Sequence, residues 1–231
     1  GFSGKARSFN GTSDYVQMAD SLSLRPDYVS FEAWVYRTGN CPIAGDQCML
    51  VNKESNWEFG ITTNNVLDWA INTSTTGWYW VNTGLTVPQN QWTHVALTYD
   101  GSTVKTYLNG SLGHSLSYSG TITKNTDCLR LGARGGCGAL SAYLAGSIDE
   151  VRISSVARSA DEIAEAYRAG RDHRVTRGFA STDLSGKSKL PFYIASDRPV
   201  TFMEAPVGEK PSSLTGVPAG GHGITQSGCA R

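Results

Sequence analysis

Residues 91–110 of the chain read QWTHVALTYDGSTVKTYLNG, and this stretch decides the fold class. Apolar and polar residues alternate on both sides of Asp100-Gly101, so each side predicts a strand with one buried face. An Asp-Gly pair readily adopts the positive φ angles that a tight hairpin turn requires. The stretch therefore predicts two antiparallel strands joined by a turn at residues 99–102.

The same period of two recurs from residue 5 to about residue 154. Turn residues separate the alternating runs, which include SFNGTSDYVQM (8–18), YVSFEAWVYR (28–37), WEFGITTN (57–64), VLDWAIN (66–72), CLRLGARGG (128–136) and GSIDEVRIS (146–154). Many short strands of this kind predict an all-β jelly-roll sandwich of two curved antiparallel sheets.

A single short helix is predicted after the last of these runs. Ser159 and Glu162 have the spacing of a capping box, Ile163 and Tyr167 share one helical face, and Gly170 is a typical stop signal. We therefore expect the jelly roll to occupy residues 1–170. The remainder, 171–231, is predicted to be a C-terminal extension with a hairpin at 190–204 and a tail rich in Gly and Pro.

The composition excludes several classes of partner. The chain has 231 residues, with 20 Lys plus Arg and 20 Asp plus Glu, so no overall field attracts nucleic acid or an anionic membrane. No run approaches the roughly 18 apolar residues that span a bilayer. The sequence opens without Met or a signal peptide, which predicts a mature product or an excised fragment. We expect no nucleic-acid partner and no membrane span.

Four of the five cysteines lie in loops rich in Gly, Pro, Asn and Asp. Their spacing predicts two local disulfides, Cys41 with Cys48 and Cys128 with Cys137, while Cys229 is left over. A zinc site is the alternative, but its usual C-x₂₋₄-C or C…H spacings are absent. Disulfides predict an extracellular or cell-surface protein.

Several segments together resemble a known family. GKARSFNGTSDYVQM (4–18), VSFEAWVY (29–36), QWTHVALTYDGSTVKTYLNG (91–110) and GSIDEVRISSVARSADEIAEAY (146–167) resemble, in order and spacing, laminin-G-like jelly-roll domains of prokaryotic surface proteins, within the concanavalin A-like lectin/glucanase superfamily. The resemblance covers residues 4–170. It implies two stacked curved sheets, often a bound calcium, and binding or adhesion rather than catalysis.

The chain departs from this family at its start. Such domains usually begin with a further strand and a loop before the segment GKARSFNG, so we expect an edge strand to be missing. GGHGITQSG at residues 220–228 faintly resembles that loop. The tail is therefore expected to return to its own domain or to dock on a neighbouring copy.

Two acidic residues stand at strand positions where apolar residues are expected. On a strand, Asp149 shares a face with the apolar residues Val151 and Ile153. Asp14 likewise shares a face with the apolar residues at every second position after it. Both carboxylates are therefore predicted to point inward. Carboxylates and other oxygens suit Ca²⁺. The candidate metal ligands are Asn10, Asp14, Asp149 and Glu150. The alternative is structural: Asp14 caps a turn, and Asp149 or Glu150 pairs with an arginine such as Arg152.

An aromatic cluster predicts a ligand surface. Trp78 and Trp80 fall on one face of the strand and Tyr79 on the other, and flat rings beside amides suit stacking on sugars. The candidate ligand-binding residues are Asn72, Trp78, Tyr79, Trp80 and Asn82. The alternative is that these aromatics belong to the core.

Enzyme signatures are weak in this sequence. Glycosidases need two carboxylates about 5 to 9.5 Å apart, whereas Glu54 and Glu58 share one strand face and four strand residues separate them by roughly 13 Å. No nucleophile elbow or phosphate loop is complete. We therefore predict no catalytic residues. The predicted function is an extracellular binding or adhesion module that recognises glycans and is stabilised by calcium. The alternative is a structural subunit of a surface fibre or layer that self-associates through its extension.

Overall fold

The computed structural model describes residues 2, 5–40 and 47–177, together with short strands at 192–195, 201–205, 212–215 and 225–226; side chains are described up to Arg171. The strands of the main domain, in chain order, are β1 Arg7–Asn10, β2 Tyr15–Met18, β3 Val29–Arg37, β4 Cys48–Lys53, β5 Trp57–Ile61, β6 Val66–Ile71, β7 Trp80–Thr86, β8 Trp92–Tyr99, β9 Thr103–Leu108, β10 Ser111–Ser117, β11 Leu129–Leu131 and β12 Ala145–Ser154. A 3₁₀ turn at Leu22–Leu24 precedes β3, and helix α1, Ala160–Arg177, follows β12.

These strands form two antiparallel sheets. Sheet 1 has the order β1-β12-β3-β8-β9-β10, and sheet 2 has the order β2-β11-β4-β5-β6-β7. Neighbours in each sheet are often distant in sequence, as expected of a jelly roll. Within sheet 1 the hairpin predicted at residues 99–102 is confirmed, because β8 pairs with β9 in the register Tyr99 to Val104. The predicted all-β jelly-roll sandwich is confirmed.

The core lies between the sheets and follows the period of two. Alternate residues of β3, β8 and β5 point into it, and their neighbours point outward. The core residues of these strands are Val29, Phe31, Ala33, Val35, Val95, Leu97, Tyr99, Trp57, Phe59 and Ile61. Burying a side chain of this size contributes about 1.5–3 kcal/mol, so the alternation stabilises the sandwich.

Helix α1 covers the outer face of sheet 1. Its capping box is confirmed: the Glu162 amide donates to Ser159 Oγ at 3.2 Å, and the Ser159 amide donates to Glu162 Oε2 at 2.8 Å. Tyr167 stacks on Trp34, with the ring centroids 5.5 Å apart. The predicted stop at Gly170 is wrong, because the helix continues to Arg177. A Cβ at position 170 would lie 2.5 Å from the Trp34 indole nitrogen, so this glycine allows the helix to approach the sheet closely.

The described strands of the C-terminal extension lie on the sheets of their own chain. β13, Phe192–Ala195, pairs parallel with β12, while β14, Thr201–Ala205, pairs antiparallel with β2. β15, Ser212–Thr215, and β16, Thr225–Gln226, continue sheet 2 beyond β14. The turn of the hairpin predicted at 190–204 lies outside the described residues, and the strands on either side of it join different sheets. Self-association through the extension stays a prediction.

One predicted disulfide is confirmed and one is partly visible. Cys128 and Cys137 are bonded. Cys48 is also disulfide-bonded, while its predicted partner, Cys41, and the single Cys229 lie outside the described residues. No helix in the described part of the chain is both long and apolar enough to cross a membrane.

Candidate functional site

A row of side chains crosses the outer face of sheet 2, the face turned away from sheet 1. The strand register aligns Trp80 of β7 with Ala70 of β6, Ala70 with Glu58 of β5, and Glu58 with Asn52 of β4. Arg130 of β11 continues the row beside Asn52. The residues on either side of Ala70 in β6 belong to the core, so this row points outward. An aromatic ring and a carboxylate therefore flank the small side chain of Ala70.

The aromatic cluster sits at the β7 end of this row. Trp78 and Trp80 are half-buried, and their ring centroids are 6.0 Å apart with the planes nearly perpendicular. Tyr79 is 45% exposed and lies against Tyr118, with the centroids 5.4 Å apart. Trp69, by contrast, is fully buried in the core. The structure thus leaves part of the 78–80 cluster accessible to a ligand.

The two candidate amides are placed differently. Asn82 lies on β7, one alternation beyond Trp80 and on the same face; it is exposed, and its Oδ1 accepts the Gly84 amide at 3.0 Å. Asn72 lies just past β6 and donates from Nδ2 to the Ser55 carbonyl at 3.1 Å. Asn82 is therefore well placed beside the tryptophans, whereas the amide of Asn72 holds the β4–β5 turn.

Arg134 completes the surface, although the sequence did not single it out. Its guanidinium carbon lies 5.4 Å from the centroid of the Trp80 ring, within the range of a cation–π contact. Nε donates to Glu58 Oε2 at 3.0 Å, and Nη2 is 3.6 Å from Glu54 Oε1. Arg134 thus spans the gap over Ala70 between the aromatic ring and the acids.

The predicted separation of Glu54 and Glu58 is wrong. It assumed one continuous strand, but β4 ends at Lys53 and β5 begins at Trp57, with Lys53 paired to Trp57. Glu54 therefore belongs to the turn that joins β4 to β5. The chain reverses there, so both carboxylates reach the same guanidinium.

The loop that carries Arg134, residues 132–142, is fixed at several points. The Cys128–Cys137 disulfide closes its first half. Arg130 donates to the carbonyl groups of Gly135 and Gly136, and the Gly135 amide donates to Asn52 Oδ1 at 3.0 Å. Backbone bonds of 2.9 Å in both directions join Arg134 to Ser141. The position of Arg134 is thus set by the loop and by the sheet beneath it.

Glu58 has an unusual environment for an acid. Only 1% of its surface is exposed. Burial raises the pKa of Glu58 to about 7, against the opposing effect of the Arg134 charge. Asp68, a second acid on this face, is 3% exposed and accepts a hydrogen bond from Gln47 Nε2 at 2.9 Å. Both acids lie beneath the surface, whereas Glu54 has 26% of its side chain exposed to solvent.

The first two candidate metal ligands form a turn. Asn10 Oδ1 accepts the backbone amides of Thr12, Ser13 and Asp14 at 2.9–3.1 Å. The backbone N–H of Asn10 donates to Asp14 Oδ2 at 3.1 Å. These contacts agree with the structural alternative, in which Asp14 caps a turn.

The other two candidates lie at a β-bulge in β12. Asp149 pairs with Trp34 and Arg152 with Glu32, so two residues of β12 oppose one residue of β3. Glu150 has a φ of 50°, as the extra residue of a bulge can adopt. Ile148 and Val151 both face the core. The expectation that Asp149 shares a face with Val151 is wrong, because the bulge changes the alternation; Asp149 is fully buried on the Trp34 side.

Two of the four predicted ligands, Asn10 and Asp149, lie apart along sheet 1. Asn10 pairs with Ala145, and Asp149 lies four residues further along β12, which corresponds to roughly 13 Å. Among the residues with described side chains, no group of three or more His, Cys, Asp or Glu could hold a metal ion. Calcium binding by the chain stays a prediction, and melting with calcium and with a chelator measures it.

Fold and surface together define a two-sheet jelly roll with a polar and aromatic outer face. A laminin-G-like family model, described as the Concanavalin A-like lectin/glucanases superfamily, matches residues 10–164. The chain belongs to this family, as its sequence motifs indicated. No curated protein matches the chain.

Solved structures share the fold at low sequence identity. A candidate carbohydrate-binding protein from Bacteroides ovatus is 20% identical with a TM-score of 0.57; the similarity covers 69% of this chain and 46% of that one, so the chain spans about half of that protein. The CBM40 of a Ruminococcus gnavus sialidase, bound to α2,3-sialyllactose, is 17% identical (TM-score 0.55; 71% and 98% covered). Domain 4 of the Geobacillus stearothermophilus arabinanase AbnA, in complex with arabinotriose, is 24% identical (TM-score 0.55; 70% and 76% covered).

Proposed function

We propose that the chain is an extracellular, noncatalytic glycan-binding module, and that the glycan binds on the outer face of sheet 2 at Trp78, Trp80, Asn82 and Arg134. The observation that carries the proposal is the contact of Arg134 with Trp80 at the edge of a buried polar row. An aromatic ring beside oriented polar groups offers both stacking and hydrogen bonds to a sugar. The carbohydrates bound to similar jelly rolls support the same ligand class.

The acids of this surface support binding rather than hydrolysis. A glycosidase needs one carboxylic acid and one carboxylate on either side of the scissile bond. Glu58 is buried beneath Arg134, so a sugar on the surface does not reach it. Of the two acids that contact Arg134, only Glu54 meets solvent, and a single exposed carboxylate does not supply the second group.

The disulfide at Cys128–Cys137 supports an extracellular location. Such bonds form and persist in oxidising compartments. The bond also orders the loop that carries Arg134, so the proposed site depends on oxidation. The two observations agree on a module that works outside the cell.

A glycan array followed by calorimetry on the best oligosaccharide tests the proposal. Replacing both Trp78 and Trp80 by Ala should abolish binding and leave the circular dichroism spectrum unchanged. Tyr28→Ala is the control, because Tyr28 is an exposed aromatic residue, at 45%, that lies near the β8–β9 turn of sheet 1. Unchanged affinity in the double variant would place the site elsewhere, and no binding on the array would remove the function.

A further inference from the structure

We infer that the site selects neutral sugars over acidic ones, and that it holds two adjacent hydroxyl groups of the sugar between Arg134 and Glu54. The inference rests on the proposed function and specifies its ligand. It is carried by the geometry of one incompletely satisfied ion pair at the surface of sheet 2.

Arg134 and Glu54 do not use all of their hydrogen-bonding atoms on each other. The distance of 3.6 Å between Nη2 and Oε1 is longer than a hydrogen bond, and a gap of this kind is commonly bridged by a hydroxyl or a water. Arg134 Nη1 has no hydrogen-bond partner among the described residues, and each side chain is 26% exposed. Donors and an acceptor therefore face solvent side by side.

The remaining atoms of both side chains are held in place. Arg134 Nε is fixed by Glu58, and Glu54 Oε2 accepts a hydrogen bond from Asn52 Nδ2 at 3.2 Å. Asn125 Nδ2 also donates to the Glu54 backbone carbonyl at 2.7 Å. The exposed atoms are thus pre-positioned, which lowers the entropy lost when a ligand binds.

Adjacent sugar hydroxyls match this arrangement. A hydroxyl group both donates and accepts, a guanidinium only donates, and an ionised carboxylate only accepts. One hydroxyl can accept from Arg134 while its neighbour donates to Glu54. The ring that carries them then lies beside Trp80, since Arg134 contacts that indole.

The local charge disfavours an acidic sugar. Arg134 faces two carboxyl groups, Glu54 and Glu58, so the cluster carries no net positive charge whether Glu58 is ionised or neutral. Among the other charged side chains described at this face, Arg130 and Asp68 are 2% and 3% exposed and have opposite signs, and Asp127, an electrostatic partner of Arg130, is a further acid. A sugar carboxylate near Arg134 would also approach Glu54, and like charges at this range repel.

The test compares neutral oligosaccharides with their uronic-acid counterparts: galactose with galacturonate, glucose with glucuronate, and mannose with mannuronate oligomers of equal length. Calorimetry at pH 7.5 in 0.15 M salt should show at least tenfold weaker binding of the uronate within any pair whose neutral member binds. Equal or tighter binding of the uronate overturns the inference and leaves the proposed function intact. Binding of neither kind overturns both.

Variants assign the selectivity to the ion pair. Glu54→Gln should lower the ratio of the affinity for the neutral sugar to the affinity for the acidic sugar at least threefold, because it removes the charge and keeps the shape of the side chain. Glu165→Gln, an exposed acid on helix α1, is the control and should leave the ratio unchanged. A ratio in Glu54→Gln equal to that of the unaltered chain would also overturn the inference, since a purely structural role changes both affinities alike.

Discussion

Arg134 Nε donates to the buried carboxylate of Glu58 at 3.0 Å while the same guanidinium lies over Trp80. The contact with the buried Glu58 therefore positions the exposed N–H donors of Arg134 at the surface. The pair connects the stability of the fold to the shape of the proposed site.

The stability of the chain should depend on the protonation of Glu58. Burial raises the pKa of Glu58 from 4.5 to about 7 in the folded chain, so the folded state binds a proton more readily than the unfolded state. The contribution of this group to the free energy of unfolding therefore falls as pH rises from about 4.5 to about 7. The side chain of Glu58→Gln does not titrate. The free energy of unfolding of this variant, relative to that of the unaltered chain, should therefore increase between pH 5 and pH 8 by as much as roughly 3 kcal/mol.

Urea unfolding of both proteins at pH 5 and pH 8 measures this difference. Glu165→Gln serves as the exposed control and should track the unaltered chain at both pH values. Parallel pH profiles for the Glu58 variant and the unaltered chain would contradict the assigned pKa.

The Cys128–Cys137 bond should matter for both stability and binding. Replacing both cysteines by Ser removes a short covalent loop, and unfolded-state entropy alone should lower the free energy of unfolding by about 2–3 kcal/mol. The loop would no longer hold Arg134 over Trp80, so we expect affinity for the array-selected oligosaccharide to fall at least tenfold. Because Cys48 is also disulfide-bonded, the variant is preferable to a reducing agent. Unaltered affinity would show that the hydrogen bonds of the loop suffice.

Gly132 should not tolerate a side chain. It has a φ of 80°, and a Cβ there would clash with the Phe9 ring. Gly132→Ala should therefore lower the free energy of unfolding by more than the 1–2 kcal/mol typical of left-handed backbone strain. Gly84 has a φ of 73° with nothing within 4 Å of such a Cβ, so Gly84→Ala measures the strain alone. Equal losses in the two variants would mean that Phe9 moves aside.

The capping box of α1 should contribute measurably to the helix. Ser159→Ala removes the bond from the Glu162 amide to Ser159 Oγ, and such a loss costs about 1 kcal/mol. Hydrogen exchange of the first helical turn should become faster. Ser155→Ala, at an exposed position just after β12, is the control; similar exchange in both variants would contradict the role of the cap.

Local patterns predicted the fold well. The alternation of apolar residues and the Asp100-Gly101 turn determine which residues form strands, and the family resemblance implied that those strands form two stacked curved sheets. The stop at Gly170 failed because a tertiary contact with Trp34 outweighs the intrinsic preference of glycine. The prediction that Asp149 shares a face with Val151 was wrong because a single extra residue, Glu150, moves every later side chain of β12 to the other face.

The site was only half predictable. Trp78 and Trp80 were identified because they fall on one face, and Asn82 because an amide beside aromatic rings can hydrogen-bond to a sugar. Arg134 was missed, since its contacts with Trp80 and Glu58 join residues more than fifty positions apart in the chain. The spacing of Cys128 and Cys137 marked a closed loop there, but no local pattern shows which partner a loop arginine reaches.

The 132–142 loop supplies the charged donor of the surface, while the strands beneath it supply the rings and the buried acids. Sequence changes at the exposed positions of that loop would therefore alter ligand preference without disturbing the framework. A library randomised at the exposed loop positions, with both cysteines and Arg130 retained, would use this sandwich as an engineering scaffold for new lectins.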